Sequence, residues 1–288
     1  MSLRRVLITG GAGLIGRALI HHAPNGWELH ATQRVQRVHG ARAHQIELSK
    51  AEQVAELFAA LHPELVFHTA YSMQHGERDI VAATRNVVAG CVASCSRMIH
   101  LSTDLVFNGE SGPYTESARP TPISEYGRWK TRAEAEVQAS IRDAAVVRTS
   151  LVTELEPPDP RITWIADSLR HADPLTLYVD ELRCPIAAAD LATQLWEIAT
   201  LPRGEAAGVW HLAGPEALSR YALGLLIAAK FALEPSGITP GRSGGAAPPR
   251  PRDVRLLTAR ADRVLTCRAR PIGELFAGPA AAPYPCPS

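Results

Sequence analysis

The stretch RRVLITGGAGLIGRALIHHA (residues 4–23) contains two hydrophobic patterns separated by glycines. Residues 5–9 form a short apolar run of the kind found in β-strands. After the glycines, apolar residues recur from Leu14 to Leu19 at the spacing of one face of an α-helix. The stretch therefore predicts a strand, a turn and a helix in immediate succession.

The turn carries the spacing G-x-x-G-x-x-G at Gly10, Gly13 and Gly16. Glycines at a strand–helix junction let the backbone approach a pyrophosphate, and the helix N-terminus favours its negative charge. The alternative interpretation is a tight turn that serves only helix–sheet packing. The context after a first strand favours a dinucleotide-binding turn.

Strand and helix patterns continue to alternate through the first half of the chain. Apolar strand candidates lie at 27–32, 64–70, 97–102 and 144–150, and helical stretches lie around 50–61, 78–95 and 126–140. Such alternation is typical of a parallel sheet covered by helices on both faces. We expect an α/β fold with a Rossmann-type, doubly wound parallel sheet over residues 1–150.

The pattern changes after residue 150. Prolines interrupt residues 154–160, and a second group of helix- and strand-breaking residues fills 241–252. We expect a smaller substrate-binding lobe drawn mainly from 151–276 and interleaved with the sheet domain, because the segment 186–212 reads as a helix and strand that return to the sheet. Residues 277–288 are rich in Pro and Ala and are expected to form a flexible tail.

Composition excludes several classes of function. The 288-residue chain has a formal net charge of +1 with scattered arginines, so nucleic-acid binding is disfavoured. No signal peptide and no apolar stretch long enough to cross a bilayer is evident. A cytoplasmic protein without a membrane partner is expected, and assembly as a homodimer is left open.

Cysteine and histidine spacing gives little support for a metal site. The five cysteines are an odd number, and only Cys91 and Cys95 lie close together, one helical turn apart. The eleven histidines form no H-x-x-x-H pair with a nearby acid. No metal is expected.

The adenosine end of a dinucleotide should lie near the end of the second strand. NAD-binding proteins usually carry an acid there for the ribose 2′-hydroxyl, but His30 to Arg37 contains none. Arg34 and Arg37 instead suit a 2′-phosphate, which favours NADP(H) and leaves NAD(H) open. Two solvated loop arginines are the competing interpretation. Glu47, after the third strand, is placed to accept from the adenine amino group.

Lys130 is one of only three lysines among 30 basic residues, and it follows Tyr126 by one helical turn. An ammonium near a phenol favours the phenolate and lowers its pKa, and it can also bond ribose hydroxyls. The arginine fork is a poor substitute. An exposed helix pair is the competing interpretation, since Y-x-x-x-K is common by chance.

Ser102 and Thr103 lie at the carboxyl end of a predicted strand, where ligands of open α/β sheets bind. A hydroxyl at this edge could donate to a substrate carbonyl oxygen while Tyr126 supplies the proton. A turn-capping Ser/Thr pair is the competing interpretation.

These three features together resemble the extended short-chain dehydrogenase/reductase superfamily. More narrowly, LSTDLVFNGESGPYTESARPTPISEYGRWKTRAEAE (residues 101–136) resembles the dTDP-4-dehydrorhamnose reductase branch, whose pattern is STDYVFDG, then P-Y-x-E, then P-x-N-x-YG-K-x-K-x-x-x-E. Similarity continues in VRTSLV (147–152), DELRCPIAAADLA (180–192) and PPRPRDVRLLTAR (248–260), to about residue 276.

The resemblance implies a role for each matching residue. Thr103 is the carbonyl hydrogen-bond donor, Tyr126 the general acid, and Lys130 lowers its pKa and holds the nicotinamide ribose. Expected cofactor contacts are Gly10, Gly13, Leu14, Ile15, Gly16, Arg34, Glu47, Leu48, Ala70, Tyr71, Tyr126 and Lys130. Expected substrate contacts are Ser102, Thr103, Asp104, Val106, Phe107 and Tyr126.

The implied function is NAD(P)H-dependent reduction of a keto-sugar nucleotide or a related carbonyl compound. The sequence departs from the branch at Leu151, where a tryptophan is usual, at CPI (184–186) and at AYSMQHGERD (70–79). These positions shape the substrate pocket in the family, so the particular sugar is open. Two alternatives remain: a sugar-nucleotide epimerase or dehydratase, and a non-catalytic cofactor-binding subunit like the methionine adenosyltransferase β subunit.

Overall fold

The structure, a computed structural model, describes residues 3–244 and 249–277. The first half contains β1 (Arg4–Thr9), α1 (Leu14–His21), β2 (Trp27–Gln33), β3 (Arg42–Gln45), α2 (Ala51–Leu61), β4 (Leu65–His68), α3 (Ala83–Ser94), β5 (Arg97–Thr103), α4 (Glu125–Ser140) and β6 (Ala145–Thr149). The second half contains β7 (Val152–Thr153), α5 (Pro160–Arg170), β8 (Leu175–Tyr178), β9 (Leu182–Arg183), β10 (Ile186–Ala187), α6 (Ala188–Thr200), α7 (Arg203–Ala206), β11 (Gly208–Leu212), β12 (Leu218–Ser219), α8 (Arg220–Lys230), β13 (Ile238–Gly241), α9 (Ala259–Val264) and α10 (Ile272–Ala277).

The described residues form a central sheet of seven parallel strands in the order β11-β6-β5-β4-β1-β2-β3. The chain runs outward from β1 through β2 to β3, then returns to β4 and proceeds the other way. The order therefore reverses between β1 and β4, which is where ligands of doubly wound sheets bind. The predicted Rossmann-type parallel sheet is confirmed.

Both faces of the sheet are buried by helices. Val6 and Ile8 of β1 point into a core with α1 and α6, whereas Leu7 points into a second core with α2, α3 and α4. Alternation of side chains along a strand places successive apolar residues on opposite faces, so a sheet covered on both sides reads as a continuous apolar run.

One helix differs from its predicted form. The stretch predicted as a helix over 78–95 begins as a π-helix at Glu77–Ala82 and continues as α3. Apolar spacing does not distinguish a short π-helical segment from an α-helix, so the sequence pattern could not indicate it. The segment begins beside the carboxyl edge of the sheet and carries Asp79 there.

A third core lies outside the sheet. Ile162 and Ile165 of α5 pack with Leu223 and Ile227 of α8 and with Ile238 of β13. β13 pairs in parallel with β8, and β12 pairs antiparallel with β9. The bounds of the predicted substrate-binding lobe stay a prediction, and the tail predicted at 277–288 lies outside the described residues except for Ala277.

Arg97 ties the amino end of β5 to the end of α6. Its guanidinium is buried and donates to the carbonyl oxygens of Ala199 and Ile198 at 2.6 Å and of Leu201 at 2.7 Å. The last carbonyls of a helix lack partners within it and carry its negative dipole end, so a cation here satisfies both. This contact anchors the edge of the sheet opposite the candidate site.

Candidate active site

A cleft of about 440 Å³ opens at the carboxyl ends of β1, β2 and β4. Its lining residues are Gly10, Ala12, Gly13, Thr32, Gln33, Arg34, Val35, Gln36, Ile46, Glu47, Leu48, Thr69, Ala70, Tyr71, Ser72, Asp79 and Ala83. The cleft therefore lies at the point where the strand order reverses. Of the expected cofactor contacts, it brings together Gly10, Gly13, Arg34, Glu47, Leu48, Ala70 and Tyr71.

Neighbouring atoms leave no room for a side chain at two glycines of the turn. Gly10 has φ +70°, and a Cβ there would lie 2.9 Å from Cα of Ala70. A Cβ on Gly16 would lie 2.3 Å from the carbonyl oxygen of Gly10. Leu14 and Ile15 pack against the core of α1 and α6 and do not line the cleft. The turn thus exposes backbone, which is what close approach of a phosphate requires.

One end of the cleft is a cluster of charges. Arg34 Nη1 lies 3.1 Å from Asp79 Oδ2 and 3.7 Å from Glu47 Oε2, and Arg78 Nε donates to Asp79 Oδ1 at 2.6 Å. Burial opposes ionisation of Asp79, but the hydrogen bonds from Arg78 and Arg34 outweigh it and lower its pKa. Arg37 is exposed and does not line this cleft.

Asp79 and Arg78 are site residues that the sequence did not indicate. The sequence predicts an acid for the ribose only near the second strand, whereas Asp79 reaches the same place from the π-helix, 45 residues beyond Arg34. The segment AYSMQHGERD (70–79) departs from the family pattern and ends at Asp79, which is the signal that could have identified this residue.

The side chains of Thr103 and Tyr126 interact at the carboxyl edge of the sheet. Thr103, the last residue of β5, accepts from the amide of Leu105 at 3.2 Å and donates to Asp104 Oδ1 at 3.3 Å. Tyr126 lies in the first turn of α4, which Ser124 caps. Its ring centroid is 5.8 Å from that of Tyr71. Two predicted catalytic groups and one expected cofactor contact are therefore neighbours.

Burial controls the acidity of Tyr126. Loss of hydration raises the pKa of its phenol well above the ordinary value, and Tyr71 and Asp104 raise it further. Interaction with the Thr103 hydroxyl lowers it by less. The net effect is opposite to the lowering expected from Lys130, because burial disfavours the phenolate more than nearby groups stabilise it. Tyr126 therefore keeps its proton at neutral pH.

Lys130 lies one turn beyond Tyr126 and is buried. Its Nζ donates to the carbonyl oxygen of Leu101 at 2.9 Å and lies 5.5 Å from the Tyr71 ring centroid. Burial lowers the pKa of Lys130 to about 8, and Glu134 partly offsets this. The side chain is thus not a solvated helix residue.

Two neutral histidines lie near Lys130. Burial, reinforced by the charge of Lys130, lowers the pKa of His68 to about 3 and that of His100 far below its ordinary value. His68 Nδ1 lies 2.8 Å from the hydroxyl of Thr9. That hydroxyl already accepts from two backbone amides, at 3.1 and 3.2 Å, so its own proton is directed to His68. Uncharged imidazoles thus lie near Lys130.

A buried ion pair holds α4 against the strands. Arg148 Nη2 donates to Glu134 Oε2 at 2.7 Å, and Ser102 Oγ donates to Glu134 Oε1 at 2.5 Å. Ser102 therefore points to the α4 side of the sheet, and the structure does not bring it together with Thr103, because neighbouring residues of a strand face opposite ways. Glu134 follows Lys130 by one turn, a spacing that could have identified it.

The other expected substrate contacts are also enclosed. Val106 and Phe107 are completely buried, in a core with Tyr114. Asp104 accepts from Ser150 Oγ at 2.7 Å and lies 3.8 Å from Arg183 Nε. Burial raises the pKa of Asp104 against the opposing effect of Arg183. The roles assigned to these side chains stay predictions.

Comparison with known proteins identifies the family. The sequence profile of the RmlD substrate binding domain family matches residues 4–274. A protein from Haloferax volcanii named "Probable low-salt glycan biosynthesis reductase Agl14" is 29% identical over 232 residues, covering 74% of this chain and 75% of that protein. "Methionine adenosyltransferase 2 subunit beta" from Danio rerio is 28% identical over 273 residues, covering 89% and 84%.

A solved structure shares the fold. dTDP-4-dehydrorhamnose reductase from Bacillus anthracis, in complex with NADP, superposes with a TM-score of 0.81 over 95% of this chain and 97% of that one, at 18% identity.

Among residues 3–244 and 249–277, no helix is long and apolar enough to cross a membrane. The same residues contain no cluster of three or more His, Cys, Asp or Glu suited to a metal ion.

Substitution of Glu134 should test the ion pair. Glu134→Gln leaves the Arg148 charge buried and unpaired, so we expect the free energy of unfolding to fall by about 3–5 kcal/mol. Urea denaturation would measure it. Glu136→Gln, on the same helix and 3.8 Å from Arg85 at the surface, should change stability by about 0.5 kcal/mol or less. Replacing both partners, Glu134→Leu with Arg148→Met, should cost less than Glu134→Gln alone; an equal or larger loss would contradict this account.

Proposed function

The chain belongs to the RmlD substrate binding domain family of extended short-chain dehydrogenase/reductases, and on this premise we propose that it is an NAD(P)H-dependent reductase of a keto-sugar nucleotide or a related carbonyl compound. The observation that carries the proposal is the proximity of the Tyr126 phenol to the Thr103 hydroxyl at the end of β5 and to Tyr71, which lines the cleft at the glycine turn. The Haloferax relative, named a reductase of glycan biosynthesis, supports the same class of reaction.

The cleft fits a nicotinamide dinucleotide. The absence of side chains at Gly10 and Gly13 leaves room for a pyrophosphate. Arg34 and Glu47 offer polar groups at the adenosine end. Tyr71 lines the cleft and contacts Tyr126, so the nicotinamide end would lie near Tyr126. When bound, the cofactor supplies the hydride that no side chain can provide. The protein's part is to bind, orient and protonate.

Tyr126 is assigned the proton transfer. Reduction of a carbonyl requires a proton at the oxygen, and a phenol that stays protonated at neutral pH can donate it. Thr103 is assigned a second hydrogen bond to that oxygen. The Thr103 hydroxyl donates to Asp104 Oδ1 at 3.3 Å, which is long for a hydrogen bond between oxygens. A substrate oxygen that accepts more strongly can therefore replace Asp104 as the acceptor. Lys130 is assigned the hydrogen bond to the cofactor ribose, and its ammonium supplies the positive charge at this position.

Loss of the Tyr126 hydroxyl tests the proton donor. Tyr126→Phe should lower kcat by a factor of about 10²–10⁴, because a general acid contributes on that order. NADPH oxidation would be followed by absorbance with a panel of nucleotide 4-keto-sugars. Affinity for NADPH should stay within about twofold, since the ribose contact is assigned to Lys130. Wild-type turnover by Tyr126→Phe would remove the tyrosine from the mechanism.

The pH profile tests Lys130. Its pKa of about 8 means that the ammonium is present below this pH and is lost as the pH rises through it. We therefore expect kcat/KM to fall above about pH 8. Arginine does not lose its proton in this range, so Lys130→Arg should remove the inflection while lowering activity at every pH, because its planar fork misplaces the donor. A variant with wild-type rates would refute the assignment.

NADP(H) is the proposed preference over NAD(H). Arg34 lines the adenosine end and is about half exposed, with one of its nitrogens on Asp79, so the others remain for a 2′-phosphate. The carboxylates of Asp79 and Glu47 stand beside it and could instead accept from a ribose 2′-hydroxyl, which keeps NAD(H) open.

Substitution of Arg34 tests that preference. Arg34→Ala should weaken NADPH binding about tenfold or more and leave NADH binding nearly unchanged, because only the phosphate needs the guanidinium. Arg37→Ala, outside the cleft, is the matched control and should affect neither cofactor. Tryptophan fluorescence or calorimetric titration would measure the dissociation constants. Equal losses for both cofactors in Arg34→Ala would show that Arg34 does not read the 2′-phosphate.

A non-catalytic role is the second candidate. Similarity to a methionine adenosyltransferase β subunit extends over 89% of the chain, so a cofactor-binding subunit is consistent with the same fold. NADPH binding without turnover of any keto-sugar in the panel would favour it. An epimerase or dehydratase is less supported, because Asp104 is held by Ser150 rather than free to act as an added acid or base.

A further inference from the structure

His100, in the middle of β5, is a buried histidine without hydrogen bonds from its ring. Its exposed fraction is 0%, and neither Nδ1 nor Nε2 has a partner within the described part of the chain. A neutral imidazole carries one donor and one acceptor nitrogen. A buried polar group without a partner is costly, so such a ring indicates a bound water or ligand group beside it.

The ring of His100 faces α4. Ser102, two residues further along β5, donates from Oγ to Glu134 of α4 at 2.5 Å. Met98, two residues earlier, packs in the core beneath the same helix. Alternate residues of a strand point to one face of the sheet, so His100 is directed toward the helix that carries Lys130.

The ammonium of Lys130 reaches this part of β5. Its Nζ donates to the carbonyl oxygen of Leu101, the residue that follows His100, at 2.9 Å. Across residues 3–244 and 249–277 this is the one hydrogen bond that Nζ makes. An ammonium has three protons. If one is used by the cofactor ribose, another remains for an acceptor on the protein side.

Of the two histidines near Lys130, His100 is the one with a free acceptor. The charge of Lys130 acts on both rings and helps to keep them neutral, because it lowers the pKa of His68 and of His100. The nitrogens of His68 are already used, since they lie 2.8 Å from the hydroxyl of Thr9 and 3.0 Å from that of Thr84. The His100 ring lies beside it, with 5.3 Å between the ring centroids.

Charged and titratable groups approach Lys130 from α4, from β5 and from β4 with the loop after it. They are Glu134 and Tyr126 on α4, His100 on β5, His68 on β4 and Tyr71 after β4. The group of opposite charge is Glu134, whose oxygens already accept from Arg148 and Ser102. The ammonium therefore depends on neutral acceptors.

We propose that His100 is a positioning residue that holds the Lys130 ammonium through one bridging water molecule, which accepts from Nζ and donates to a ring nitrogen of His100. No direct hydrogen bond joins the two side chains, whereas a buried water can serve two to four polar partners. The role of Lys130 in cofactor binding and turnover rests on the proposed function. The contact between His100 and Lys130 does not.

NMR titration of Lys130 tests the contact without any substrate. The chain has three lysines, so protein labelled with ¹³C-lysine gives three sets of signals, and Lys50→Arg and Lys230→Arg identify those of the other two. The signal of Lys130 reports its pKa directly. Hydrogen bonds to the ammonium favour the charged form and raise this pKa, so their loss lowers it.

His100→Leu removes the acceptor at similar volume and should lower the pKa of Lys130 from about 8 to about 7 or below. His100→Gln keeps an acceptor and should stay close to the wild-type value. The matched control is His211→Leu on β11, two strands away, where another fully buried histidine has an unpartnered Nε2 within the described residues. This control should leave the pKa of Lys130 unchanged.

The pH profile of turnover gives a second readout. The ammonium is present below its pKa, so His100→Leu should move the fall in kcat/KM to lower pH. The expected loss is about fivefold at about pH 8 and less than about twofold at about pH 6. A structural role alone would lower kcat/KM by one factor at every pH, and His100→Gln should restore the wild-type profile.

A high-resolution crystal structure of the wild-type protein tests the contact without substitution, also if His100→Leu does not fold. We expect a water molecule within hydrogen-bond distance of both Lys130 Nζ and a ring nitrogen of His100, and its absence would overturn the proposal. An unchanged Lys130 pKa in folded His100→Leu would overturn it as well. A lowered Lys130 pKa in that variant, with no keto-sugar reduced by the wild-type protein, would keep the contact and count against the reductase.

Discussion

The buried pair of Glu134 and Arg148 sets the distance between the helix and the strand that form the candidate active site. Glu134 lies on α4 with Tyr126, whereas Arg148 lies on β6 and Ser102 on β5, and the three side chains are joined at 2.5 to 2.7 Å. Inside a protein such a pair adds little stability over apolar packing, but its geometry tolerates little displacement. Thr103 follows Ser102 in β5, so the contact of Ser102 with Glu134 also fixes the position of Thr103 relative to Tyr126.

Burial, more than neighbouring charge, sets the protonation states around the site. The same loss of hydration raises the pKa of Tyr126, lowers that of Lys130 to about 8 and lowers that of His68 to about 3. A phenol that keeps its proton, an ammonium that titrates near neutrality and neutral imidazoles follow from one cause. At this edge of the sheet the protonated phenol is thus favoured over the phenolate.

Local patterns in the sequence were sufficient for the fold and for part of the site. The glycine spacing from Gly10 to Gly16 and the alternation of apolar runs predicted the doubly wound sheet, because both depend on neighbours in the chain. Contacts between distant segments were not predictable in this way. Asp79 reaches Arg34 from a π-helix, and Ser102 turns toward Glu134. The expected lowering of the Tyr126 pKa failed because burial cannot be read from residue spacing.

Asp104 connects the end of β5 to β9 and makes the electrostatics of these segments interdependent. It is held by Ser150 on one side and lies 3.8 Å from Arg183 of β9 on the other. Its charge raises the pKa of Tyr126, while Arg183 favours that charge. Removal of the Arg183 charge is therefore expected to raise the proton affinity of Asp104, and Asp104 in turn affects that of Tyr126. The acidity of Tyr126 therefore depends on residues from both halves of the chain, so the sheet edge and the segment around β9 form one electrostatic unit.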